Sequence, residues 1–157
     1  MEPRALLASF LKRLWTTWFA SSEASASKPA EPLAPEEPLS RFLLSDRDIS
    51  HGGVKPAAFL PAPDGTTSVF RIQELSEPEV WRLGDQYVAR PRGRRLHGRG
   101  DLKHTNVTAT GLRVEPDNSP PRHAAIVGWP DEKDAQMSVA QQLASTAVLR
   151  LHRPEIP

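Results

Sequence analysis

The chain has no cysteine, which removes structural disulfides and thiolate metal sites at once. It lacks an uninterrupted apolar run long enough to span a bilayer. It also lacks a strong net charge, with 20 Lys and Arg against 19 Asp and Glu for a formal +1. There is no glycine–lysine–Ser/Thr phosphate loop, no dinucleotide glycine fingerprint and no G-x-S-x-G elbow. Nucleotide triphosphatase, Rossmann and serine-hydrolase readings therefore fail. No internal repeat is visible, and 157 residues suit a single domain with its own apolar core.

What is present is unevenly distributed. Leu6, Leu7, Phe10, Leu11, Leu14, Trp15, Trp18 and Phe19 recur at three- and four-residue intervals, the helical period. Arg4, Lys12, Arg13, Thr16 and Thr17 fall on the other side. Residues 1–20 are thus expected to hold an amphipathic helix over 3–20 that docks on a protein partner, on its own domain or on a membrane surface. Ala24-Ser25-Ala26 resembles a signal cleavage site, but Lys12 and Arg13 interrupt the apolar run that a secretory signal needs. Residues 21–39 are mostly Ser, Ala, Glu and Pro. Pro29, Pro32, Pro35 and Pro38 recur every three residues, the turn of a polyproline II helix. They predict a disordered linker tethering the helix to a domain at 40–157. Fifteen of the 20 basic residues are arginine, a usage like that of a GC-rich bacterium. The expected location is cytoplasmic, peripheral to a membrane if residues 3–20 bind one.

Within 40–157, residues 41–44 are a short apolar run that fits a first strand, and 45–53 read as turn and loop. Lys55-Pro56 opens an extended piece, because proline biases its predecessor toward β conformation. Residues 66–72 alternate and are β-branched and aromatic, which predicts a strand. Ser76-Glu77-Pro78-Glu79 is a capping box with a first-turn proline. The helix it opens presents Val80, Trp81, Leu83, Gly84, Tyr87 and Val88 to a core and ends before Pro91. Residues 107–114 read as extended with a turn at Gly111, and 115–121 as an exposed turn. Residues 123–129 are apolar enough for the centre of a sheet and stop at Pro130. A last helix is expected over 132–149, with Met137, Ala140, Leu143, Ala144, Ala147, Val148 and Leu151 in its apolar stripe. The predicted fold is α+β, a small single domain with a short, mostly antiparallel sheet and two amphipathic helices.

The densest positive charge lies between Arg90 and His104, where Arg90, Arg92, Arg94, Arg95, Arg99 and Lys103 face one acid, Asp101. Amides around Gly93, Gly98 and Gly100, with arginine forks nearby, can cradle an anion. Together with His104 and Arg122, these cations form the expected binding set. The partner expected from it is nucleic acid or another polyanion, bound by an accessory protein. An alternative is a metal-independent ribonuclease or phosphoryl-transfer toxin, with His97 and His123 as acid and base and Lys103 stabilising the phosphorane. A third reading is a protein–protein adaptor with no anion site. His97, Asp101 and His104 would align as metal ligands only on a helix, which Gly98 and Gly100 oppose; no metal or cofactor is implied. Leu96-His97-Gly98-Arg99-Gly100-Asp101-Leu102 resembles the histidine–glycine strand of the ADP-ribosyltransferase fold. The resemblance covers those seven residues, and the later polar and acidic motifs of that family do not follow in order.

Overall fold

The computed structural model describes residues 31–153. The helix read at 3–20 and the linker up to residue 30 lie outside them. The described chain is α+β, built on a six-stranded antiparallel sheet. In chain order the strands are β1 (Pro38–Leu43), the two-residue β2 (Ile49–Ser50) and β3 (Gly53–Val54), β4 (Thr67–Arg71), β5 (Gly98–Lys103), β6 (Arg113–Pro116), β7 (His123–Val127) and β8 (Val148–Leu151). The large sheet runs β6-β7-β4-β1-β5-β8, and β2 and β3 form a separate hairpin. The helices are α1 (Glu77–Gly84), α2 (His104–Thr108) and α3 (Lys133–Thr146). No described helix is long and apolar enough to cross a membrane.

Strand alternation divides the core between the two faces of the sheet. Leu39, Leu43, Val69, Leu102, Ala124 and Ile126 line one face, beneath Ala140 and Leu143 of α3, Val107 of α2 and Phe59 of the short turn Pro56–Phe59. Arg41 points to this side and pins that turn, donating to Ala58 O at 2.9 Å and Ser68 O at 3.0 Å. Burial pulls its guanidinium below its usual pKa, against the field of Asp48. Phe42, Phe70 and Ile72 line the opposite face, beneath Val80, Ala89 and Leu96. Helix α1 lies on that side, started by Ser76, which accepts from Glu79 N, with proline in the first turn.

Three departures from the sequence reading have local causes. Residues 98–103 form a strand next to β1, so Gly98 and Gly100, expected to help cradle an anion, lie inside the sheet. Glycine in a strand marks a close approach: a Cβ at Gly98 would sit 2.8 Å from Arg150 O, and one at Gly100 3.0 Å from Val54. Residues 107–108, read as the start of an extended segment over 107–114, belong instead to the helix at 104–108, and the turn at Gly111 (φ +91) separates α2 from β6. Helix α3 stops at Thr146, and residues 148–151 turn from the expected helical stripe into the edge strand β8, leaving Val148 and Leu151 each 54% exposed.

The compact unit also begins earlier than composition suggested, at Pro32. Leu33 packs on the first core cluster. Glu37 is 5% exposed and accepts from Arg71 through both carboxylate oxygens, with Nη2–Oε1 at 2.7 Å. Residues 32–39, read as linker from their prolines, therefore belong to the domain.

Two stability predictions follow from this packing. Glu37→Ala should cost about 2 kcal/mol in urea unfolding, because it removes the charge-assisted fork from Arg71 onto a nearly buried carboxylate. Gly84→Ala should also destabilise, although alanine favours a helix by about 1 kcal/mol over glycine. The new Cβ would meet the Phe42 ring at 2.5 Å, and overpacking costs about 1–3 kcal/mol. Adding Phe42→Leu should make the alanine less harmful than it is alone, a coupling that a double-mutant cycle measures.

Candidate functional site

Strand β5 divides the basic stretch. Before it, α1 continues through a wider turn at Asp85–Ala89 and a tight turn at Arg90–Arg92. Gly93 ends the run in the left-handed region (φ +63), with Gly93 N bonded to Arg90 O and Arg94 N to Ala89 O, a glycine-terminated helix end. Arg90, Arg92, Arg94 and Arg95 are all exposed, near a helix C-terminus whose partial negative charge favours cations. Arg90 pairs with Asp85 at 2.6 Å and Arg92 donates to Val88 O at 3.0 Å. Arg94 and Arg95 make no ion pair among the described residues.

The other expected binding residues are elsewhere. Arg99 is 1% exposed. Its guanidinium forks onto Glu77 at 2.7 and 3.0 Å, bonds Asp101 at 3.1 Å and lies 4.5 Å from the Trp81 ring. Asp101 is shared with Arg150 at 3.2 Å and with the Ser40 hydroxyl at 2.9 Å. Burial alone would lower the Arg99 pKa, but the hydrogen bonds to Glu77 and Asp101 outweigh it and the net shift is upward. The bond from Arg99 likewise holds the Glu77 carboxyl below its ordinary value, against a smaller desolvation effect. Arg99 is thus an internal tie rather than part of an exposed array. Lys103 and His104 lie at the far end of β5, about 20 Å from His97 at about 3.3 Å per residue. Lys103 pairs there with Glu36 at 2.8 Å, and His104 Nδ1 lies 3.2 Å from Ala34 O. Arg122, with φ +70, clamps Arg71 O and Gln73 O at 3.2 and 3.0 Å.

The fold does not bring His97 and His123 together. His123 faces Phe70 on β4, Phe70 faces Ser40 on β1, and His97 precedes Gly98, which faces Leu43 on β1. Three strand spacings of about 4.8 Å and about four residues along the strands put them on the order of 20 Å apart. His123 is held instead by Asp117, 2.7 Å from its Nδ1, and by an edge-on contact with Phe70. Because β5 is extended, the helical alignment of His97, Asp101 and His104 as ligands does not form.

The structure adds residues that sequence reasoning missed. Pairing of β8 with β5 carries His152 to His97, with His152 N bonded to His97 O at 3.1 Å. Arg153 follows directly and is exposed. The His152 ring lies 4.8 Å from Trp81. The two rings line an open groove of about 720 Å³ with Glu77, Pro78, Arg82, Asp85 and Arg153. The alternation Val148-Leu149-Arg150-Leu151 was the available signal, hidden because the same residues extended the helical stripe. Comparison with family models, curated proteins and solved structures returned no match.

The Arg99 tie has a testable pH signature. A carboxyl whose folded pKa is lowered stabilises above its unfolded value of about 4.3 and loses that contribution as pH falls through the folded value. The stability gap between wild type and Glu77→Gln should therefore be constant from pH 5 to 7. It should narrow progressively below about pH 4 in denaturant titrations.

Proposed function

We propose that this domain is a non-catalytic accessory module that binds a polyanion, with nucleic acid the leading class, through the sheet end formed by residues 90–97 and 152–153. The observation that carries this reading is the exposed series Arg92, Arg94 and Arg95, with the exposed Arg153 just after the His152–His97 backbone bond, all left without carboxylate partners among the described residues. Like charges held this close repel one another, and a chain of phosphates relieves that repulsion while releasing condensed counterions. Lys103, His104 and Arg122 fall outside this footprint, and so does the buried Arg99.

A salt titration tests the reading. With about four cations engaged, the logarithm of the binding constant should fall with the logarithm of salt at a slope of about −3 to −4 for duplex DNA. Arg94→Ala with Arg95→Ala should reduce that slope by nearly two units. Absence of binding at low salt would leave the protein–protein adaptor reading in its place.

A further inference from the structure

We infer that the groove beside Trp81 seats an unstacked base of a single-stranded nucleic acid, an assignment that rests on the polyanion reading above and narrows it. The Trp81 and His152 rings pack on each other at a 47° tilt with centroids 4.8 Å apart, and both line the groove. The indole is held in place by the buried Arg99 guanidinium at 4.5 Å, so the platform exists before any ligand arrives. The groove volume falls within the roughly 300–1,000 Å³ of small-ligand sites, enough for a base and its sugar.

Charge around the groove is arranged for such a strand. Arg153 and Arg82 stand on its lining with no carboxylate partner among the described residues; Arg82 donates only a long 3.4 Å bond, to Pro78 O. Arg94 and Arg95 are exposed just before the His97 that His152 bonds. The two carboxylates of the lining are each committed to an arginine, Glu77 to Arg99 and Asp85 to Arg90. They leave the wall close to neutral and still offer acceptor lone pairs to the amino and imino groups of a base. Phosphates are thereby directed to the Arg82, Arg153 and Arg94–Arg95 side, and a base to the ring side. A duplex, whose bases are stacked inward, can use the arginines but not the groove. Aromatic stacking beside a basic track is the general basis of single-strand binding.

The test uses the full chain and three probes at low salt: oligothymidylate of about 12 nucleotides, the matching duplex, and inorganic polyphosphate of equal charge. The oligothymidylate should bind about tenfold more tightly than either of the other two. His152→Ala should remove about tenfold of that affinity and leave polyphosphate binding within about twofold. Trp81→Phe, which keeps a ring over Arg99, should show a smaller loss in the same direction, with circular dichroism confirming the fold. Arg94→Ala with Arg95→Ala should weaken all three probes. Equal affinity for oligothymidylate and polyphosphate, with His152→Ala neutral, would overturn the base seat and leave the polyanion reading intact. Tighter binding of duplex than of single strand would overturn the seat in the same way. No binding of any probe would overturn both.

Discussion

A guanidinium buried on the α1 side of the sheet sets the geometry of that whole side. Arg99 reaches from β5 to Glu77 in the first turn of α1, to Asp101 two residues along its own strand, and to the face of Trp81. Taking such a charge out of water costs several kcal/mol, and only well-placed partners repay it. The apolar contacts of Val80 with the Phe42, Phe70 and Ile72 cluster hold α1 against the sheet, but apolar surfaces tolerate sliding and rotation. The forked bond to Glu77 does not, and Gly84 against the Phe42 ring fixes how closely the other end of the helix approaches. Between them, these two contacts orient Trp81 and shape the groove. The arginine is therefore a specificity element whose net stability is small beside the cost of breaking it.

The same strand determines what the basic stretch can do. Alternation in β5 turns Arg99 toward α1 and sends Gly98, Gly100 and Leu102 into the opposite core, and the six-residue length carries Lys103 to the other end of the sheet. One run of cations in sequence becomes three separate roles: an exposed helix-end series, a buried tie and a paired surface lysine. Charge density along the chain therefore overstates charge density in space. The footprint recovers part of the loss from Arg153, because β8 returns antiparallel to β5 and ends beside its start.

Elements whose pattern arises within one segment were legible in the sequence. The Ser76 cap and proline predict the start of α1, β-branched alternation locates β4, and an apolar run locates β7, each strand to within two residues at either end. Elements whose residue choice answers to a neighbour were not. Gly98 and Gly100 are there because the Arg150 backbone and the Val54 and Phe59 side chains lie close, and locally they resemble loop residues. Residues 148–151 satisfy both a helical stripe and a strand, and the vacant edge of β5 decides between them. The prolines of 32–38 read as a spacer until Glu37 finds Arg71, 34 residues away. The exposed arginines of the candidate site were visible in sequence. The groove was not, since Trp81 and His152 are 71 positions apart and meet only through the sheet.

The two edges of the sheet differ in a way that bears on the site. Strand β6 carries Arg113, Glu115 and Pro116, with the two charges 3.7 Å apart, and charge and proline discourage pairing with another chain. Strand β8 presents the exposed Val148 and Leu151, a more apolar edge. Its one charge, Arg150, is drawn to Asp101, and its end is occupied by His152 bonded to His97 and by the cationic Arg153. A strand added there would run past Arg153, where a basic segment is repelled. A cation at the end of an otherwise open edge guards it against cationic strands. Under the proposed polyanion reading, the cation that ends this edge, Arg153, also lines the groove, so one residue would serve both protection and attraction.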